Sequence, residues 1–184
     1  MMSDILRAAD GEPLPLVTIL NIKGLDDALS ALQCVDDKAQ VRRYRVWCAR
    51  QVQHLMTDPR SLAALDVAER YADGQVTDDD LSAAWIAARA AVSDAVMPAE
   101  RAAARAAASV ASNDVALVAA SDAAWAAASD AAWAAASDAA WVAAKAAWFS
   151  EEKAARVSAA CDAAYGAARA AQEAQFRIMF GGAT

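Results

Sequence analysis

Chemistry in a chain of this kind would have to start from few residues. The chain has a single histidine, His54, and three cysteines, Cys34, Cys48 and Cys161. A metal site needs such groups clustered on one face. Cys48 lies six residues before His54, about 240° away around a shared helix, so the two diverge. Nucleophilic catalysis would pair a thiol with His54 as base, but the spacing singles out no such pair, and a buried structural thiol is the plainer reading. No glycine-rich phosphate loop is present. The Asp78-Asp79-Asp80 run reads as the acidic first turn of a helix, where the dipole favours anions. No cofactor or metal is expected, and no enzyme.

Cationic groups are better organised. Lys38, Arg42, Arg43, Arg45 and Arg50 crowd one segment. On a helix, Lys38, Arg42 and Arg45 fall within about 60°, with Arg43 and Arg50 forming a second strip. Such strips could meet a partner's acidic surface or a phosphate backbone, or pair with the protein's own acidic helices. Just beyond, Arg50, His54, Asp58, Arg60 and Glu69 sit on two consecutive helices across one turn. Half-buried polar groups so placed need one another as partners. A hydrogen-bonded clamp fixing the helical pair is the first expectation, and a recognition surface the second.

The elements that position these residues are helical. Alanine is the commonest residue and the best helix former. Residues 1–24 form an extension, in which Gly11, Pro13 and Pro15 precede the β-branched run Leu16–Leu20; this is expected to be an extended arm. Residues 25–184 form one all-α domain of six or seven helices. Its first helix covers Leu25 to Cys34, and a second, capped by Asp36 or Asp37, is expected to reach about Met56. Asp58-Pro59 then starts a helix that ends at Asp73-Gly74, and Thr77 caps the next. Pro98 opens another, broken near Ser112-Asn113-Asp114. A last helix follows Ser150-Glu151-Glu152, with Gly166 inside it suggesting a close crossing.

The longest regular feature is an octad, SDAAWAAA, from Ser121 to Trp148. It is expected to organise the fold. Eight residues advance a helix by 800°, a drift of about 80° per repeat. Trp125, Trp133 and Trp141 therefore span about 160° and must meet different neighbours if the helix is continuous. Burial of most of these rings is expected, within the chain or at a homodimer contact. Asp122, Asp130 and Asp138 repeat at about 12 Å by helical rise, a poor match to phosphate spacing for an acidic DNA mimic.

A net charge of −7 opposes non-specific nucleic-acid binding by the whole surface. No basic, apolar leader is visible, no apolar run is long enough to span a bilayer, and the odd cysteine count suits a reducing cytoplasm.

The block Val46–Ser61, with Ala64–Gly74 and Asp79–Ala84, is similar to the Imm-5-like immunity-protein family of small bacterial and phage proteins. The shared pattern is a cysteine-containing, arginine-rich helix, His-Leu, Asp-x-Arg-Ser and Ala-Glu-Arg-Tyr-Ala-x-Gly. An alanine-rich tail with recurring tryptophan follows, and Gln175–Gly181 resembles the family's closing segment. This resemblance implies a non-enzymatic protein that binds another protein: a toxin or, in a phage, a host defence component. Nucleic-acid binding through the Lys38–Arg50 strip is the alternative.

Overall fold

The computed structural model describes residues 14–112, 133, 136, 140–142 and 153–182. All its regular elements are helical, in the order α1 (Leu16–Lys23), α2 (Leu25–Ala31), α3 (Lys38–Arg50), α4 (Pro59–Ala72), α5 (Asp78–Asp94), α6 (Pro98–Ala111) and α7 (Lys153–Phe180), with short 3-10 turns at Leu32–Cys34 and Gln53–Leu55.

The expected extended arm is instead α1. Pro15 supplies an extended N-cap whose carbonyl accepts from the amides of Thr18 and Ile19 at 2.9 and 3.2 Å. Burial of Ile19 and Leu20 then outweighs the modest helix penalty of the β-branched residues. Gly24, at φ 90°, ends α1 and turns the chain directly into α2, a backbone angle that L side chains rarely adopt.

Local signals define the other boundaries. The Asp37 side chain caps α3 through the Gln40 amide at 2.8 Å. This helix closes at Arg50, well short of Met56. The amides of Gln51 and Val52 bond three residues back, to Cys48 and Ala49, tightening the last turn before the chain swings round to Asp58-Pro59, and α conformation is disfavoured before proline. Gly74, at φ 69°, closes α4 with the paired bonds Gly74 N–H to Tyr71 C=O and Gln75 N–H to Arg70 C=O, a Schellman ending. Thr77 and Asp80 form a reciprocal capping box at the start of α5.

Two hydrophobic clusters make the core, and α3 belongs to both. Val46 and Ala49 pack with Leu65 and Ala68 of α4, Leu81 and Ala88 of α5, and the alanine face of α6. On α6, Ala102, Ala103, Ala106, Ala107 and Ala111 are fully buried, because small side chains admit close helix approach. The opposite side of α3, with Val41, Tyr44 and Cys48, packs against α1, α2 and the Phe176–Phe180 end of α7. The Tyr44 ring meets Phe176 edge-on at 5.5 Å, and its hydroxyl donates to the Gln172 carbonyl at 3.1 Å. Among the described residues, α3 is thus the organising element.

Within the single chain, among the described residues, the buried aromatic payload comes from outside the octad. Tyr44, Phe176 and Phe180 are buried, whereas Trp133 and Trp141 remain 52% and 59% exposed. Residues 133, 136 and 140–142 are helical and Ala136 is buried, but Trp125 and the continuity of the octad lie outside the described residues. Among the described residues, a Cβ at Gly166 would meet no neighbour within 4 Å, so no close crossing is seen there.

Candidate functional site: the groove between α3 and α4

The arginines of the basic segment divide by azimuth, and the division decides what each can do. Arg45 is 4% exposed. Its guanidinium donates to the Ser109 carbonyl and, at 3.2 Å, to Ser112 Oγ. Arg42 donates to the carbonyls of Val110 and Ser112 at 2.7 and 3.2 Å and lies over the Tyr71 ring, 4.8 Å from its centroid. The Tyr71 hydroxyl in turn donates to Asp78 Oδ1 at 2.5 Å. Both guanidiniums therefore clasp the carbonyl end of α6, where the helix dipole favours a cation. Burial lowers the Arg42 pKa from its ordinary value, though the nearby Tyr71 and Asp78 oppose that shift.

Arg43 and Arg50 face the other way, towards α4. Arg43 bonds Asp73 Oδ1 at 2.9 Å and the Ala72 carbonyl at 3.2 Å. Arg50 reaches Asp66 Oδ1 and Glu69 Oε2, both at 2.6 Å, and Gln53 at 3.0 Å. Burial works against the Arg50 charge, but the bonds from Asp66 and Glu69 outweigh it and raise its pKa.

The five-residue clamp expected from Arg50, His54, Asp58, Arg60 and Glu69 resolves into two separate groups. Arg50 and Glu69 belong to the α3–α4 bridge. Asp58 instead pairs with Arg60 at 2.6 Å while capping α4 through the Arg60 amide at 2.8 Å, and Arg60 also reaches Asp94 of α5. Side-chain and backbone bonds from Arg60 hold the Asp58 carboxyl below its usual range. His54 lies exposed in the 3-10 turn and joins neither group. The Cys48 thiol is buried against Tyr44, and desolvation pushes its pKa up to about 12, the state of an inert thiol. Cys34 is exposed, and all three thiols are free. Among the described residues no three His, Cys, Asp or Glu side chains gather as a metal would require, and no helix is long and apolar enough to cross a membrane.

What the Arg43 and Arg50 bridges border is a groove of about 560 Å³, lined by Arg43, Trp47, Arg50, Asp66, Glu69, Arg70, Asp73, Gln175 and Met179. Helix α3 supplies Trp47, half-buried against the core. The end of α7 supplies Gln175 and Met179, and it is fixed to α3 by the Gln40 side-chain bond to the Met179 carbonyl at 2.6 Å. Asp66, Glu69 and Arg70 of α4, with Asp73 at its C-cap, form the opposite wall at i, i+3, i+4 and i+7. Sequence reasoning finds Arg43, Arg50 and Glu69 but misses Trp47, Asp66, Arg70 and Asp73 as partners. The charged i, i+3, i+4, i+7 pattern on α4 was the available signal. No family model, curated protein or solved structure matches the chain.

Proposed function

We propose that the protein is a non-enzymatic binding module that engages another protein through the groove between α3 and α4. In an immunity-like role the partner is a toxin or, for a phage protein, a host defence component, and the cytoplasm is the proposed compartment. The observation that carries this reading is Trp47, half-buried in a groove whose walls are held by Arg–carboxylate bridges. A pre-ordered aromatic residue ringed by arginines is the kind of surface that supplies interface hot spots. Arg50 is pinned by two carboxylates, so little side-chain entropy remains to be lost on docking.

The nucleic-acid alternative draws less support. Two arginines it depends on, Arg42 and Arg45, spend their guanidiniums on carbonyls of α6, and those that face outward share their surface with Asp66, Glu69 and Asp73. Self-association through Trp133 and Trp141 is a further proposal, resting on their exposure.

Affinity capture with the tagged full chain in its source host tests the reading. A retained protein that is lost with Trp47→Ala or Asp66→Lys, but kept with Lys23→Glu outside the groove lining, is the expected result. Retention undiminished by the groove substitutions would overturn it.

A further inference from the structure

We infer that the groove between α3 and α4 takes a net-basic partner segment, one that sets an aliphatic side chain on Trp47 and Met179 and its Lys or Arg groups against α4. This inference rests on the proposed protein-binding role and names the chemistry of the partner.

The argument comes from which hydrogen-bonding atoms are already used. The Arg50 side chain is 25% exposed, against 64% and 50% for the Asp66 and Glu69 carboxylates that hold it. The carboxylates are therefore what an incoming chain meets first. Each is held through one oxygen only: Asp66 by Oδ1, Glu69 by Oε2 and Asp73 by Oδ1. Among the described residues their second oxygens, Asp66 Oδ2, Glu69 Oε1 and Asp73 Oδ2, accept no hydrogen bond. Each carboxylate oxygen can take further donors, and a guanidinium or ammonium is the donor that binds most strongly there.

The opposing consideration is Arg70, whose guanidinium makes no hydrogen bond among the described residues and lines the same wall. It stands between Asp66 and Asp73, at i−4 and i+3, and so is partly offset by its own helix. Across the groove Arg43 is 48% exposed and its Nη1 makes no hydrogen bond among the described residues. Apart from the less exposed Arg50, three half-used carboxylates, 48–64% exposed, thus face two guanidiniums and leave the rim acidic by one charge. The net charge of −7 acts in the same direction at longer range, drawing in basic partners and repelling acidic ones. Trp47 and Met179, which line the same groove, supply the apolar seat, so the segment that fits alternates cationic and aliphatic side chains. Arg70 then sets a preference of its own, since a cation directly opposite it is disfavoured.

Two capped tripeptides, acetyl-Arg-Leu-Arg-amide and acetyl-Glu-Leu-Glu-amide, titrated into the ¹⁵N-labelled full chain at low salt, test this. Expected are shifts at the Trp47 indole and the Asp66, Glu69 and Asp73 amides with the basic peptide, and affinity about tenfold weaker with the acidic one. Glu69→Gln should weaken the basic peptide about two- to fivefold, and Arg70→Gln should strengthen it by a similar factor, the scale of single exposed charges. Neither exposed side chain is part of the core, so folding is expected to survive both. Equal or tighter binding of the acidic peptide would overturn the inference, as would shifts spread over all acidic surfaces without Trp47, or no binding of either peptide. A partner captured as above but lost on Trp47→Ala would, in those cases, leave the binding role standing and remove only its basic chemistry.

Discussion

Replacing Arg45 and Arg43 in turn by methionine, which keeps most of the aliphatic stem, separates two readings of the basic segment. The two are close neighbours on α3 with similar chemistry, yet they occupy opposite environments. Arg45 is buried and bonds the Ser109 carbonyl and Ser112 Oγ. Hydrogen bonds to a charged group contribute about 1.5–3 kcal/mol each, and a cation at a helix C-terminus adds up to about 2 kcal/mol. Relief from desolvating a buried guanidinium offsets part of this. Two further bonds to Ser109 C=O, from the Ser112 amide and hydroxyl, survive the substitution. Together these place the loss for Arg45→Met at about 2–3 kcal/mol. For Arg43, whose side chain and that of Asp73 are each 48% exposed, the loss is at most about 1 kcal/mol. Urea unfolding followed by far-UV circular dichroism should thus rank Arg45→Met well below Arg43→Met. Thermal midpoints should drop by about 4–12 °C for the former, at roughly 2–4 °C per kcal/mol in a chain of this size. Two variants of equal stability within about 0.5 kcal/mol, or an Arg45→Met protein more stable than the parent, would refute the claim that Arg45 is a structural clasp and would return it to the list of available surface cations.

Phe176→Ala should cost about 3–5 kcal/mol, because the ring is buried against Tyr44 and Phe180, and hydrogen exchange should rise selectively at the end of α7. Exchange unchanged there would show that α7 is held by other means. A thiol reagent at pH 8 should modify Cys34 quickly and leave Cys48 untouched until the protein unfolds; prompt reaction of Cys48 would contradict its burial and its pKa of about 12. Because that pKa is raised on folding, the Cys48 contribution is full below the unfolded value of about 8.5 and fades as pH climbs towards 12. The Asp58 carboxyl is shifted the other way, so its stabilisation is present above about pH 4 and is lost as pH falls through its lowered folded value. Asp58→Asn should flatten the acid limb of the stability curve, and an unchanged limb would show that the pairing with Arg60 contributes nothing in solution. Light scattering at micromolar concentration should give twice the mass of 19.2 kDa if Trp133 and Trp141 are covered by a second copy, and a monomeric mass would sink that proposal.

Much of the architecture was decided locally and could be read from the chain. Asp37, Asp58-Pro59, Thr77, Pro98 and the Asp73-Gly74 stop act within a few residues of themselves, through caps and backbone angles, and each marks a helix end in the fold. The all-α class follows from alanine content for the same reason. What the sequence could not decide was whatever depends on which neighbours a helix meets. Leu16–Leu20 reads as extended until α2 and α7 give Ile19 and Leu20 a place to be buried. The octad dominates the eye because its repeat is conspicuous, but repetition does not measure burial, and α3 holds the two clusters together through ordinary residues on both its faces. The cations of the basic segment look equivalent as a string. Only tertiary packing turns Arg42 and Arg45 onto the end of α6 and Arg43 and Arg50 towards α4, and so separates the arginines that build the protein from those that border its groove.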